Sequence, residues 1–327
     1  MTRVLVTGGA GYIGSHTCKA LVAAGFEPVT LDNLTRGHRE FVRWGPLEVG
    51  SLENYPGLCQ VFDRHRPEAV LHFAAYAYVG ESTQDPAIYY RNNVGGTLNL
   101  LDAMRLFGVN KLVFSSTCAT YGIPSRVPIP VTHPQSPINP YGRSKKMVET
   151  ILNDYRTAFG LRSYSLRYFN AAGADVDGEL GERHYPETHA VPLGILTALG
   201  QRAAFEIFGT DYDTEDGTAV RDYIHVTDLA SAHVAALQRL VDGADGDSVN
   251  LGTGHGTSVK QLIEAIEHVS GRSVPVVAMA RREGDPPALV ADGQAALDLL
   301  NWYPKYDCIE DIVSTALAWH ERELSRK

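Results

Sequence analysis

Cysteine is scarce in this 327-residue sequence: Cys18, Cys59, Cys118 and Cys308 are all it has, and no two stand in a CxxC pair. That scatter excludes a disulfide framework and a sulfur-rich zinc site, and it suits a chain kept reduced. Long apolar runs are missing too. The longest, near 190–199, is too short to cross a bilayer, so no membrane association is expected. An apolar strand and a glycine loop follow at once on the first residues, which leaves no room for a signal peptide; the cytoplasm is the expected setting. Positive charge is in deficit: 29 Lys and Arg against 38 Asp and Glu leave a net charge of −9, with no block of one sign. Nucleic acid is therefore not an expected partner, and an anionic ligand has to be held by local cations.

What is present has the balance of a globular chain, long enough for two lobes of unequal size. Short apolar runs at 4–6, 28–31, 69–73, 111–114 and 163–166 alternate with helical patterns. That rhythm predicts βαβ units and a parallel sheet covered on both faces. The character changes after Asn170, where glycines and acidic residues crowd 175–182. The expected fold is α/β: a Rossmann-like doubly wound parallel sheet over 1–170, then a smaller α/β C-terminal lobe over 171–327. Later segments are free to return to the first lobe.

The first strand runs into Gly8, Gly11 and Gly14, a GxxGxxG spacing that opens a helical pattern over 15–24. A glycine turn alone is often only structural. Strand, spacing and helix together suit a dinucleotide, with Gly8 at the turn, Gly11 admitting a pyrophosphate to the backbone and Gly14 allowing close helix packing. Asp32 closes the second strand 18 residues beyond Gly14. Its carboxylate suits ribose hydroxyls and repels a 2′-phosphate, which favours NAD, although Arg36 and Arg39 nearby argue for NADP.

Tyr141 and Lys145 form a YxxxK pair at the head of a helical pattern, and i,i+4 spacing puts both on one face. The ammonium, joined by a positive nicotinamide, is expected to lower the Tyr141 pKa and make the phenol a base near neutral pH. The strand at 111–114 ends in Ser115, Ser116 and Thr117, which brings the Thr117 hydroxyl to the edge where the cofactor belongs.

With TGGAGYIGSH, LDNL, HFAAYAYVGES, YYRNNV, SSTCATYG, NPYGRSK, LRYFNAAGA, TEDGTAVRDYIHV and RREGDPPALVAD in view, the whole chain resembles the UDP-glucose 4-epimerase family. That family is part of the extended short-chain dehydrogenase group. The resemblance implies C4 inversion of a UDP-sugar through a 4-keto intermediate with bound NAD, a C-terminal substrate lobe, and a homodimer formed through 93–107 and 141–159. The implied catalytic residues are Tyr141, Lys145 and Thr117. The cofactor contacts are Gly8, Gly11, Tyr12, Ile13, Gly14, Asp32, Asn33, Phe73, Ala74, Asn92, Ser115, Tyr141, Lys145 and Tyr168. Toward the substrate it implies Phe208 stacked on uracil, Arg221 and Arg282 on the diphosphate, Asp285 on the uridine ribose and Asn170 on phosphate. His189 and Thr117 would contact substrate, and Leu289 would border the sugar.

This chain departs from the family at Ser51, where many members have an acidic residue contacting adenine, and at Ala77, often Lys; both bear on cofactor retention. His189 replaces an Asn. The wording SSTCATYG and AYVGES also resembles relatives acting on UDP-xylose and UDP-arabinose. A sugar-nucleotide 4,6-dehydratase is the rival chemistry, but in such enzymes Asp-Glu follows the catalytic hydroxyl residue, where this chain has Cys118 and Ala119. A non-catalytic NAD sensor would need neither Tyr141 nor Lys145. Cys118 reads as a packing thiol. His184 and His189 lack a third ligand at convincing spacing, so no metal is expected.

Overall fold

The structure is a computed structural model that describes residues 2–282 and 284–326; Glu283, within the RREGDPPALVAD motif, lies outside the described residues. Seven parallel strands form the main sheet. From one edge they run Leu47–Val49, Glu27–Asp32, Arg3–Thr7, Ala69–His72, Lys111–Thr117, Arg162–Tyr168 and Ser248–Leu251. The order reverses between Arg3–Thr7 and Ala69–His72, and a doubly wound sheet opens its ligand crevice at such a switch point.

Two-residue periodicity explains why the strands are apolar throughout. Val4, Val6, Ala69, Leu71 and Val113 face one layer, where Leu21, Leu229 and Leu237 cover them. Leu5, Val70, Leu112 and Phe114 face the other, against Leu58, Phe62, Leu101, Met104, Val148 and Leu152. Each face is sealed, as a parallel sheet requires.

Segments beyond residue 170 return to the first lobe, helix Gln294–Leu300 among them through Ala296 and Leu300. Strand Ser248–Leu251 pairs with Arg162–Tyr168, and helix Val226–Val241 supplies Leu229, Leu237 and Leu240 to the first layer. Those segments return because the edge strand Arg162–Tyr168 would otherwise expose an unpaired ladder. The remaining C-terminal segments build a second core from helices Ala190–Ala198, Val259–Ser270 and Ile309–Ser325 with strand Phe205–Phe208. A three-stranded patch, Thr257–Ser258, Val220–Arg221 and Ala288–Leu289, lies between this core and the main sheet's carboxyl edge. No helix among the described residues is long and apolar enough to cross a membrane.

Candidate active site

Strand Arg3–Thr7 turns at Gly8, whose φ of 74° is left-handed and whose amide donates to the Leu31 carbonyl at 2.8 Å. A Cβ there would lie 2.7 Å from the Ala74 nitrogen, and one on Gly14 would strike the Gly8 carbonyl. Only glycine allows the loop to fold this tightly. Helix Tyr12–Ala23 starts at Gly11 with no side-chain cap and no acidic residue in its first turn. Its amides and dipole are left for an anion, the arrangement a pyrophosphate needs.

Asp32 ends its strand buried, accepting from Ala10 N at 3.1 Å and Leu34 N at 2.8 Å. Burial raises its pKa, with those two amides opposing. Asn33 caps the next turn, accepting from Thr35 N. Arg36 is committed elsewhere: it pairs with Glu81 at 2.7 Å, donates to the Tyr185 carbonyl and lies over Tyr78. That commitment removes one argument for a 2′-phosphate reader.

Phe73 and Ala74 follow strand Ala69–His72, their amides bonded to the Thr7 carbonyl, and Ile13 packs on the core beneath the loop. Asn92 sits on a π-helical stretch, Tyr90–Gly95, and donates to Asn93 Oδ1; such widened turns often mark functional positions. The Tyr12 hydroxyl donates to the Gly173 carbonyl at 2.6 Å.

Helix Pro140–Phe159 begins at Asn139, whose side chain accepts from Gly142 N at 2.8 Å, with Pro140 pre-set in the first turn. Tyr141, Lys145 and Glu149 recur every four residues, and all three are buried. This row meets the end of strand Lys111–Thr117 residue by residue. The Tyr141 phenol lies beside the Thr117 side chain, Lys145 Nζ donates to the Ser115 carbonyl at 2.7 Å, and Ser116 Oγ donates to Glu149. Ser115 Oγ in turn donates to the Tyr168 hydroxyl at 3.2 Å.

Among the protein's own groups, burial dominates the electrostatics of this row. Burial raises Tyr141 well above the usual phenol range, nearby Tyr168 adds to the rise, and the neighbouring Thr117 hydroxyl opposes. Burial also lowers Lys145 to about 7, against the pull of Glu149. The amine donates to a carbonyl, and lowering of the phenol depends on the positive nicotinamide joining it.

The Glu149–Arg167 pair lies beneath the row at 2.6 Å, with both side chains buried. Arg167 also donates to the Tyr121 hydroxyl and the Val131 carbonyl, and Tyr121 donates to Asn250 at 2.6 Å. Sequence reasoning missed this network. Its members stand far apart in the chain, and no local spacing announces them.

The second cleft, about 310 Å³, is lined by Ile123, Tyr212, Arg281, Arg282 and Asp285 among others. Arg282 rests 3.8 Å over the Phe208 ring. Arg221 is ion-paired with Asp285, which also accepts from the Tyr212 hydroxyl at 3.3 Å. The structure therefore brings Phe208, Arg221, Arg282 and Asp285 together, with the Arg221 charge already offset. Tyr212 and Arg281 were not anticipated, although Arg281 opens the RREGDPPALVAD motif beside Arg282. Leu289 packs against the buried cluster of Cys118, Tyr121, Ile129, Phe169 and Ala291. Burial pushes the Cys118 thiol up to about 12, as suits a packing residue. Asn170 bonds through its amide to the Asp222 carbonyl, and His189 stands beside Glu182.

Residues 4–252 match the model of the NAD dependent epimerase/dehydratase family. A UDP-glucose 4-epimerase of Rhizobium leguminosarum bv. trifolii is 57% identical over 319 residues, covering 98% of this chain and 97% of its own. The crystal structure of a UDP-glucose 4-epimerase from Brucella ovis in complex with NAD superposes with a TM-score of 0.95 at 53% identity, over 97% of this chain and 98% of its own. One from Stenotrophomonas maltophila, with bound NAD and formylated UDP-arabinopyranose, gives 0.96 at 39% identity, over 100% and 99%.

Proposed function

The chain belongs to the NAD dependent epimerase/dehydratase family, and on that premise we propose that it interconverts UDP-glucose and UDP-galactose by inverting C4. The observation that carries the reading is the buried row in which Tyr141 meets Thr117 while Lys145 is held on Ser115, at the same sheet edge as the glycine loop. Bound NAD would supply a hydride acceptor and donor at C4, together with a positive charge beside the phenol. Gly8, Gly11 and Gly14 would admit its pyrophosphate, Asp32 its adenosine ribose, and Lys145 its nicotinamide ribose.

Tyr141 takes the proton from the 4-hydroxyl, directly or through Thr117, as C4 gives up its hydride, and returns it to the 4-keto oxygen once the turned sugar presents the opposite face of C4 to the returning hydride. Turning that sugar requires the nucleotide to stay fixed while the hexose moves. Phe208 on uracil, Arg221 and Arg282 on the diphosphate, Asn170 on phosphate and Asp285 on the ribose would fix it. Forked guanidiniums suit phosphate oxygens, and an acidic protein needs them locally. Cys118 and Ala119 offer no acid and base for eliminating water, which disfavours a dehydratase.

We also propose a homodimer. Leu98, Leu106, Met147 and Phe159 lie exposed on helices Gly96–Leu106 and Pro140–Phe159, an apolar face a second copy would cover. Four unpaired cysteines support a cytoplasmic setting.

Purified protein incubated separately with UDP-galactose, UDP-xylose and UDP-N-acetylglucosamine, with products read by NMR, tests the reaction and the sugar together. Conversion of UDP-galactose is expected. Preference for UDP-xylose would move the assignment to the pentose epimerases, and no conversion of any would overturn it.

A further inference from the structure

The buried row between strand Lys111–Thr117 and helix Pro140–Phe159 has a third rung, Ser116 on Glu149, that touches no reacting atom. Ser116 shares the sheet face of Leu112 and Phe114, which pack in the layer of Val148 and Leu152; Ser115 and Thr117 belong to the other face. Its register partner on the adjacent strand is Arg167, so the two side chains stand side by side beneath the helix. Both reach Glu149. Ser116 Oγ donates to its Oε1, and Arg167 donates to both of its oxygens at 2.6 to 3.1 Å. Gln135 Nε2 adds a donor at 2.8 Å. Ser116, Glu149 and Arg167 are all buried.

The rest of this layer is apolar, and apolar residues of similar volume would seal it without the desolvation that a buried ion pair costs. What apolar contacts lack is direction. They tolerate small slides of a strand tip beneath a helix, whereas a fully satisfied hydrogen-bonded network fixes one register. The residue fixed here is Ser116, and its two neighbours in the chain are those that meet the catalytic pair. The Ser115 carbonyl holds Lys145 Nζ at 2.7 Å, and the Thr117 side chain stands beside the Tyr141 phenol. Glu149 lies one turn beyond Lys145 on the helix that presents both the phenol and the amine.

We propose that Ser116 and Glu149 are positioning residues: their bond, braced by Arg167, sets the register between the tip of strand Lys111–Thr117 and helix Pro140–Phe159, and with it the placement of Thr117 against Tyr141 and of Lys145 on Ser115. The consequence for turnover rests on the reading of Tyr141 as the acid-base group; the register itself does not. A shift of about 1 Å arising away from the chemistry can slow a reaction on the order of 100-fold.

Ser116→Ala deletes the bond and leaves the Glu149–Arg167 pair in place. Turnover on UDP-galactose, counted per bound NAD so that unfolded chains do not enter, should fall about 10-fold with KM within about 2-fold of wild type. The combined change Glu149→Leu and Arg167→Met keeps the layer sealed but offers Ser116 no acceptor. It should show the same loss, and adding Ser116→Ala to it should lower turnover no further. Turnover of Ser116→Ala within about 2-fold of wild type would overturn the proposal, as would multiplying losses in the triple variant. If the combined variant does not fold, Ser116→Ala decides alone. A wild type that converts no UDP-sugar would remove the proposed reaction but not the register, which is then read from the crystal structure of Ser116→Ala. Loss of the 2.7 Å contact between Lys145 and Ser115 is expected there, and its retention with Thr117 unmoved beside Tyr141 would refute the positioning role.

Discussion

Lys145 Nζ donates to the carbonyl oxygen of Ser115 at 2.7 Å, so the amine paired with Tyr141 by sequence is anchored to the neighbouring strand. Its burial lowers its pKa to about 7, while an unfolded lysine titrates at its ordinary 10.5. The unfolded chain therefore binds more protons between these values. The cost of burying the charge is full below pH 7 and fades as pH rises toward 10.5, so stability gains with pH in that window. Comparing wild type with Lys145→Met by urea unfolding, the wild type should gain on the order of 2 kcal/mol relative to the variant from pH 6 to pH 9. A flat or falling difference would mean that Lys145 keeps an ordinary pKa.

Replacing Tyr141 by Phe keeps the ring, which meets Tyr89 edge-on, and deletes the hydroxyl that lies beside Thr117. Turnover should fall on the order of 10²- to 10⁴-fold, the range for losing a positioned acid-base group, with NAD content and thermal unfolding little changed. Near-normal turnover in the purified variant would place the base elsewhere.

Glu149 stands one turn beyond Lys145 and pairs with Arg167 out of solvent. Glu149→Ala would leave a buried guanidinium uncompensated, and breaking such a pair costs about 3 to 5 kcal/mol. Glu149→Leu combined with Arg167→Met should recover most of that loss in urea denaturation. A single-variant cost below about 1 kcal/mol would show that water or rearrangement already satisfies Arg167.

The glycine loop, Asp32 and the Tyr141–Lys145 pair were legible because each is a local pattern whose meaning depends only on residues within a turn or a strand. What stayed hidden depends on tertiary placement. The partners Glu149, Arg167, Tyr121 and Asn250 meet only once four segments are folded together. The upward shift of Tyr141 follows from burial that no spacing reports, and strand Ser248–Leu251 joins the first sheet by pairing across many intervening residues.

Arg282 is exposed at the cleft mouth with its guanidinium 3.8 Å over Phe208. A diphosphate held there would be bound equally in the ground and transition states, so Arg282→Ala should raise KM far more than it lowers kcat. Calorimetry with UDP isolates the binding step. Unchanged UDP affinity would remove Arg282 from the diphosphate contacts and leave the neighbouring Arg281 as the candidate.

Leu289 is half-buried on the short strand beside Arg221 and packs against the cluster that holds Cys118, Tyr121 and Phe169. That contact places it next to the segment following Thr117, where a turning keto sugar must sweep its 2-substituent. A branched side chain there obstructs an acetamido group more than a hydroxyl, and overpacking a site costs about 1 to 3 kcal/mol. UDP-N-acetyl sugars should therefore be poor substrates of the wild type. Truncation by Leu289→Ala removes the obstruction, and the specificity constant for UDP-N-acetylgalactosamine relative to UDP-galactose should rise on the order of 10-fold. The same truncation loosens the Cys118 cluster, so thermal unfolding has to accompany the kinetics. Lost stability with a fixed ratio would make Leu289 a packing residue alone, whereas a raised ratio in a folded variant assigns it to the sugar pocket.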